Sequence, residues 1–188
     1  MLLKRIQIAF FGIGIVFSCI PRSALSATSV RCDIDPARSL VQFTSQAPFE
    51  TVIGHTRSIR GWIEVQTEIK NPIKGEVIVD AASLKTGNRL RDKDMVRKFL
   101  ETEQYPEIRF TMTEGKAGNF SLHGVQRMET VPMILTQKEE GLNVTASFSL
   151  KLSDYQIERP AFLWMRLSEM VDITVDLSCS PRRRQSTP

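Results

Sequence analysis

Side chains that commonly carry out catalysis are scarce in this sequence. Of its two histidines, His55 lies in IGHTRS, a segment typical of a turn, and His123 lies in LHGV at the end of a predicted strand. Ser121 and His123 would share one strand face, but no nearby carboxylate completes a catalytic triad. A carboxylate from elsewhere in the fold could complete one. We therefore expect a hydrogen-bonded turn histidine, and an enzyme using His123 or His55 is the alternative.

Metal and phosphate sites are not indicated either. A zinc site needs three or four converging nitrogen, sulfur or carboxylate ligands, and the close companions of His123 are glycine and valine. The sequence has neither of the common glycine-rich phosphate loops. The segments LRDKD and KEEG lack the spaced acids of a calcium-binding loop. The sequence predicts no catalytic residue, no cofactor and no metal.

The first 26 residues have the order of a secretory signal peptide, with basic MLLKR, apolar IQIAFFGIGIVFSCI and small-residue PRSALS. Ala24 and Ser26 suit the small-residue positions, so the predicted cleavage lies before Ala27. A membrane anchor is one alternative, although the apolar run falls short of the ~20 residues that span a bilayer. Lipid attachment at Cys19 is another. Residues 1–26 are predicted to be a leader, 27–180 the domain and 181–188 a disordered basic tail.

The charge distribution argues against a nucleic-acid partner. The whole chain carries +4, but the leader holds Lys4, Arg5 and Arg22 without an acid, and the tail holds three consecutive arginines, 182–184. The remaining domain is therefore about −2 and has no predicted basic face. A solvated tail is expected, and contact of the tail with anionic lipid is the alternative.

Cys32 and Cys179 lie near the two ends of the predicted domain. An even pair of cysteines in an exported chain favours a disulfide. Two buried free thiols are the alternative.

The period of apolar residues in the domain is close to two. It is clearest at 142–152, LNVTASFSLKL, and at 171–179, VDITVDLSC. About eight such strands are predicted, each with one dry and one wet face, which is the antiparallel habit. Such a sheet packs on another sheet or closes into a barrel. Pairing of the first and last strands would join the two cysteines and close a barrel, while a sandwich remains an alternative.

The segment 86–110 interrupts this alternation with charged residues. Its apolar residues Met95, Val96, Phe99 and Leu100 recur at helical spacing. The sequence predicts a short helix at about Asp92–Leu100 that covers one end of the barrel.

An eight-stranded barrel is just wide enough to be filled by side chains or to hold one small ligand. The residues predicted to line the lumen share the dry faces of the strands: Val41, Phe43, Ile63, Val65, Val77, Val79, Phe110, Met112, Phe120, Phe148, Leu150 and Val175. Phe162, Trp164 and Met165 form a bulky cluster that is a binding lip if exposed and a barrel cap if buried. Arg89 and Arg91 are candidates for anion contacts at a mouth, with a solvated face as the alternative.

The segment DAASLKTGNRLRDKDMVRKFLETEQYPEIRFTMT resembles the signature segment of the YceI-like family. DIDPARSLVQF, LHGV and LKLSDYQI are similar to further motifs of that family, so the resemblance runs from about Cys32 to Ser178. It implies an eight-stranded, lipocalin-like antiparallel barrel exported to the bacterial periplasm. It also implies a polyisoprenoid or other amphiphilic lipid in the lumen, and no catalysis. The segment QRMETVPM, the bulky stretch after Tyr155 and the cysteine pair depart from the family pattern.

Three functional hypotheses follow. The first is a periplasmic binding or carrier protein for an isoprenoid-like or other amphiphilic lipid, with transient membrane contact and no nucleic-acid partner. The second is an interaction or stress-response module with a packed barrel and no ligand. The third is a hydrolytic enzyme that uses one of the histidines. The sequence leaves the oligomeric state open.

Overall fold

The computed structural model describes residues 29–66, 71–139, 141–159, 161–162 and 165–181. The leader and residues 182–188 of the tail lie outside these ranges, so their assignment stays a prediction. The strands are β1 (Ser29–Ile34), β2 (Leu40–Ala47), β3 (Glu50–Thr56), β4 (Ile59–Gln66), β5 (Asn71–Asp80), β6 (Glu107–Glu114), β7 (Ala117–Leu122), β8 (Val125–Thr130), β9 (Met133–Lys138), β10 (Gly141–Lys151), β11 (Ala161–Phe162), β12 (Met165–Arg166) and β13 (Met170–Pro181).

Strands β1–β10 and β13 form one antiparallel sheet of 11 strands. Strands β1 and β2 pair with successive halves of β13, and β4 and β3 continue outward from them. Strand β8 pairs with β7 while β9 pairs with β10, so the bent segment β8–β9 joins the two sides of the sheet. Three pairs of strands thus share a position, which leaves eight positions around a curled barrel. The predicted all-β, eight-stranded antiparallel barrel is confirmed.

The bend between β8 and β9 has a local cause. Pro132 lies between the two strands and has no backbone N–H to donate to a neighbouring strand. The N–H of Val131 turns to the carbonyl of Lys116, at 2.9 Å. The chain therefore changes its partner from β7 to β10 at this point.

Within the described residues, one α-helix and a few short 3-10 turns interrupt the strands. Helix α1 (Arg89–Asp94) continues as a π-helical turn at Met95–Phe99, in which the N–H of Leu100 donates to the carbonyl of Met95 at 2.8 Å. The helix thus begins three residues before the predicted start at Asp92. Phe99 and Leu100 pack against the core cluster at one end of the barrel, so the helix covers that end as predicted.

The family-like motif around Thr86 builds the start of this helix. The side chain of Asn88 accepts hydrogen bonds from the N–H groups of Leu90 and Arg91, at 3.1 and 3.2 Å. The carboxylate of Asp92 reaches back to the N–H and hydroxyl of Thr86, at 2.8 and 2.6 Å. Free N–H groups at a helix start need such acceptors. The motif is therefore a capping device for the helix.

The two cysteines form a disulfide. Cys32 on β1 and Cys179 on β13 are 0% and 1% exposed, their Cα atoms lie 5.4 Å apart, and their sulfur atoms are bonded. Pairing of the first and last long strands brings them together, with Ile34 opposite Cys179. The predicted disulfide is confirmed.

The turn predicted at His55 is wrong. His55 lies inside β3, where its backbone forms an isolated bridge with Lys85 through hydrogen bonds of 2.9 and 3.0 Å. Gly54, which suggested a turn, lies opposite Phe43 on β2.

Gly61 on β4 is expected to tolerate no side chain. Its φ is +140°, and a Cβ there would overlap the carbonyl oxygen of Glu76 on β5. We expect Gly61→Ala to lower the free energy of unfolding by roughly 3 kcal/mol, because backbone strain and this overlap add. Urea unfolding at neutral pH measures the loss.

Gly87→Ala is the matched control, because Gly87 also has a positive φ, +80°, but nothing lies within 4 Å of its Cβ position. It should cost about 1–2 kcal/mol from backbone strain alone. Equal losses in the two variants would show that the contact with Glu76 is unimportant.

Candidate functional site

An apolar cavity of about 130 Å³ lies inside the barrel. Strands from opposite sides of the barrel contribute to its wall. The lining residues are Val41, Phe43, Ile63, Val77, Val79, Leu84, Ile108, Phe110, Met112, Phe120, Leu122, Val131, Met133, Val144, Ala146, Phe148, Leu150, Ile173, Val175 and Leu177. Among the described residues, the wall contains none that is charged or bears a hydroxyl, so the cavity suits an apolar ligand.

The structure brings the predicted lumen residues together, with one exception. All of them line the cavity except Val65, which is buried in the adjoining core cluster. Their contact with a ligand stays a prediction. Nine further residues line the cavity, and six of them lie on the alternating strands: Ile108, Leu122, Val144, Ala146, Ile173 and Leu177. Sequence reasoning gave no sign of the other three, Leu84, Val131 and Met133. Leu84 follows a short 3-10 turn, and the other two flank Pro132 at the bend, so strict alternation gave no signal for them.

Two glycines leave room for aromatic rings in the cavity wall. The ring of Phe43 covers Gly54 on the neighbouring strand, and a Cβ at that glycine would overlap the ring. The ring of Phe110 lies against Gly118 in the same way, 2.8 Å from a Cβ there. Both rings therefore lie along the cavity wall. A side chain at either glycine would push the neighbouring ring into the lumen.

Beneath the helix, the cavity adjoins a second core cluster. The ring of Phe120 packs edge-on against Phe148 and Tyr155, with centroids 6.0 and 5.7 Å apart. Tyr155 is 1% exposed, and its hydroxyl donates to the carboxylate of Glu129 at 2.8 Å. Burial, and next the bond to Glu129, raise the pKa of the Tyr155 phenol above its usual range.

Tyr155→Phe is expected to lower the free energy of unfolding by about 1 kcal/mol near pH 7, because a hydrogen bond is lost. The folded protein holds the phenol neutral, while the unfolded chain ionises near the ordinary pKa of 10.0. Wild-type stability therefore falls as the pH rises above 10, and the variant should lack this part of the fall. Urea unfolding at neutral and alkaline pH measures both effects.

Tyr105→Phe, which removes the other tyrosine of the chain, is the control for that comparison. An alkaline loss in Tyr155→Phe equal to that of the wild type would contradict the assignment.

His123 connects the helical segment to the barrel. Its Nε2 lies 2.9 Å from a carboxylate oxygen of Glu101, and its Nδ1 lies 3.1 Å from the carbonyl oxygen of Tyr155. The ring also packs edge-on against Tyr105, at 4.7 Å. Both ring nitrogens therefore already face oxygen acceptors, which indicates a structural histidine. The sequence gave no signal for Glu101 as its partner, because the two residues meet only through the fold.

One buried polar group has no partner within the described residues. The Ser45 hydroxyl on β2 is buried, and no hydrogen-bond partner is found for it. By strand alternation Ser45 shares the face of Val41 and Phe43, which line the cavity. Buried hydroxyls are usually hydrogen-bonded, so this one is an exception, although Ser45 is not among the residues that line the cavity.

The predicted lip is described only in part. The backbones of Phe162 and Met165 pair in the short ribbon β11–β12, and Trp164 lies outside the described residues. Their role as a lip stays a prediction. Among the described residues, no group of three or more His, Cys, Asp or Glu side chains could hold a metal. Within the same ranges, no helix is long and apolar enough to span a bilayer.

An eight-position antiparallel barrel around an apolar cavity is the architecture of lipocalin-like proteins. The sequence profile of the YceI-like domain matches residues 33–179. The chain therefore belongs to the YceI-like family, as its motifs predicted. No curated protein matches it by sequence.

Solved structures share the fold. The crystal structure of Burkholderia cenocepacia BcnA has a TM-score of 0.68 and 17% identity, over 77% of this chain and 98% of its own. A polyisoprenoid binding domain from Saccharophagus degradans has a TM-score of 0.67 and 15% identity, over 81% and 99%. The Campylobacter jejuni YCEI protein has a TM-score of 0.51 and 15% identity, over 95% and 99%.

Proposed function

We propose that this protein is exported to the periplasm and holds an isoprenoid-like or other amphiphilic lipid chain in the lumen of its barrel. The observation that carries the proposal is the internal cavity, whose described lining residues all have apolar side chains. Each methylene group transferred from water into such a wall gains about 0.8 kcal/mol. A solved structure with this fold is described as a polyisoprenoid binding domain. The proposal assigns no catalytic role to His55 or His123.

An amphiphilic ligand fits better than a plain hydrocarbon. The buried Ser45 hydroxyl lacks a hydrogen-bond partner within the described ranges. A ligand with a hydroxyl group at one end would supply that partner if the lumen opens as far as Ser45, and its chain would extend past Phe43 into the cavity.

The volume of the cavity limits the length of the lipid chain that it can hold. Ligand pockets usually measure about 300–1,000 Å³, and a cavity near 150 Å³ holds a molecule the size of benzene. At about 130 Å³, this lumen must widen to take a long chain. The half-buried rings of Phe43, Phe110 and Phe148 line it and can turn to make room.

The same small volume favours one second candidate, the ligand-free interaction or stress-response module with a packed barrel. The two candidates differ in whether the lumen opens to a chain.

Export is supported by two independent features. The first 26 residues carry the pattern of a cleaved leader. The Cys32–Cys179 disulfide is a bond of oxidising compartments such as the periplasm.

Native mass spectrometry of the mature protein, purified from the periplasm of the producing bacterium, tests the proposal. We expect a stoichiometric adduct that organic extraction releases as a prenyl or acyl lipid. A protein that arrives bare should then take up farnesol or palmitate when incubated with each. A bare mass that neither probe changes would overturn the carrier function and favour the packed module. A measured mass that corresponds to a polypeptide beginning before Ala27 would contradict the predicted cleavage.

A further inference from the structure

The outer face of the helical segment carries a row of exposed cations. Arg89, Lys93 and Arg97 follow one another four residues apart, so they form one stripe along the segment, and all three are exposed. Within the described part of the chain, no carboxylate pairs with any of them. The ion pairs of this region involve two other cations, Arg91 with Glu50 at 2.7 Å and Lys98 with Asp94 at 2.9 Å.

Most carboxylates near the stripe are directed to other partners. Asp92 accepts from Thr86, and Glu101 bonds to His123. Asp94 pairs with Lys98, while Glu103 remains exposed. Residues 85–104 carry six cations and four carboxylates, and Glu50 pairs with Arg91, so this region keeps one net positive charge. The domain as a whole is slightly acidic by composition.

Exposed apolar side chains lie at the same end of the barrel. Leu90, next to the stripe, is 78% exposed, and Phe49 at the tip of the β2–β3 hairpin is 80% exposed. The bond between Arg91 and Glu50 holds this tip against α1. Met170, 47% exposed, begins β13 beside the same hairpin, where the N–H of Ser168 donates to the carbonyl of Gln46 at 2.6 Å.

Cations interspersed with exposed Phe, Leu and Met side chains suit the surface of an anionic phospholipid bilayer. The phosphate groups attract the cations, and the apolar side chains enter the region between headgroups and acyl chains. We propose that the stripe Arg89, Lys93 and Arg97, together with Leu90, docks the protein on an anionic bilayer. This inference rests on the proposed lipid-binding function, because docking places the covered end of the cavity against the membrane.

Docking on a bilayer would give the helix a second role. Phe99 and Leu100 pack on its inner side against the core cluster next to the cavity. A bilayer bound to the outer side would contact the element that separates the lumen from the membrane. A lipid chain could then pass between bilayer and barrel without crossing water.

Cosedimentation of the mature protein with phospholipid vesicles tests docking. Vesicles of phosphatidylglycerol and phosphatidylethanolamine are compared with vesicles of phosphatidylcholine, at about 0.1 M salt. We expect binding to the anionic vesicles only. Each cation near an anionic surface contributes about fivefold in affinity, so Arg89→Gln/Lys93→Gln/Arg97→Gln should weaken binding on the order of 100-fold. Leu90→Ser should weaken it further.

Two triple variants with the same charge change are the controls. Lys74→Gln/Lys116→Gln/Lys138→Gln removes exposed lysines from the opposite end of the barrel. Arg182→Gln/Arg183→Gln/Arg184→Gln removes the cations of the tail. Both should bind vesicles as the wild type does. Equal weakening in either control, or binding to phosphatidylcholine as tight as to the anionic vesicles, would overturn the inference.

Uptake of farnesol, measured without vesicles, separates this inference from the proposed function. A stripe variant that loses vesicle binding and keeps farnesol binding supports docking by the stripe. A wild-type protein that binds farnesol and no anionic vesicle overturns docking alone. A wild-type protein that binds vesicles and no apolar probe overturns the carrier function alone. Capture of an acidic protein in place of vesicles would identify a protein partner for the stripe and also overturn bilayer docking.

Discussion

Loss of the Cys32–Cys179 disulfide is expected to lower the free energy of unfolding by about 5 kcal/mol, because the bond closes a very long loop. The cysteines are 147 positions apart in the sequence, so the cross-link excludes many open conformations of the unfolded chain. A loss of this size is comparable with the ~5–15 kcal/mol stability of a whole domain. Urea unfolding of Cys32→Ala/Cys179→Ala against the wild type measures it.

The double variant also removes two buried sulfur atoms, so a second comparison is needed. In that comparison, wild-type protein is unfolded in urea with and without a thiol reductant. The reductant breaks the cross-link but keeps both cysteine side chains. The difference between the two experiments gives the packing contribution of the sulfur atoms. If the reduced wild type is as stable as the oxidised protein, the disulfide does not stabilise the fold. It would then form only because β1 and β13 lie close together.

The second large effect is expected from blocking the lumen. Val175 lies on β13 opposite Val41 and Ala146, and its side chain lines the cavity. In Val175→Trp the indole would occupy much of a volume of about 130 Å³. At about 0.8 kcal/mol per methylene, displacing four methylene groups of a ligand weakens its binding on the order of 200-fold. Titration with farnesol, followed by native mass spectrometry, measures this change.

Thr174→Trp is the matched control for that variant. Thr174 is the preceding residue on β13 and is exposed on the outer face, so the same indole adds bulk without entering the lumen. It should bind farnesol as the wild type does. Both variants must unfold cooperatively for the comparison to hold, because overpacking a core costs about 1–3 kcal/mol. Unchanged farnesol binding in a folded Val175→Trp would place the ligand outside the barrel.

Alternation predicted much of the fold, because the barrel has one wet and one dry face. In β10 and β13, Val144 and Leu177 are buried, while Ser147 and Asp172 between the dry positions are exposed. The positions of the cysteines favoured pairing of the first and last strands, and the structure has this pairing in place of the alternative sandwich. The helix was predicted from its apolar stripe, but its start depends on capping bonds of Asn88 that the stripe does not contain.

Where the prediction failed, contacts distant in sequence decided the structure. Gly54 and His55 indicate a turn locally, but the ring of Phe43 covers the glycine and holds that segment in a strand. Glu101 bonds His123 across 22 positions, through two turns in which both residues have a positive φ. Alternation predicted which residues share the strand faces that line the cavity. The volume of the cavity depends on side-chain packing, which alternation does not encode.

The disulfide also turns the chain between the two cysteines into a covalent ring. A protease that cuts an exposed turn, such as the one at Gly115 between β6 and β7, opens the ring but releases no fragment. The nicked molecule gains only the mass of one water, and its two pieces separate when it is both reduced and unfolded. Because β1 and the end of β13 already lie side by side, a short linker could join them and new termini could be placed in that turn. The strands therefore follow one another in a closed order that has no fixed first or last strand.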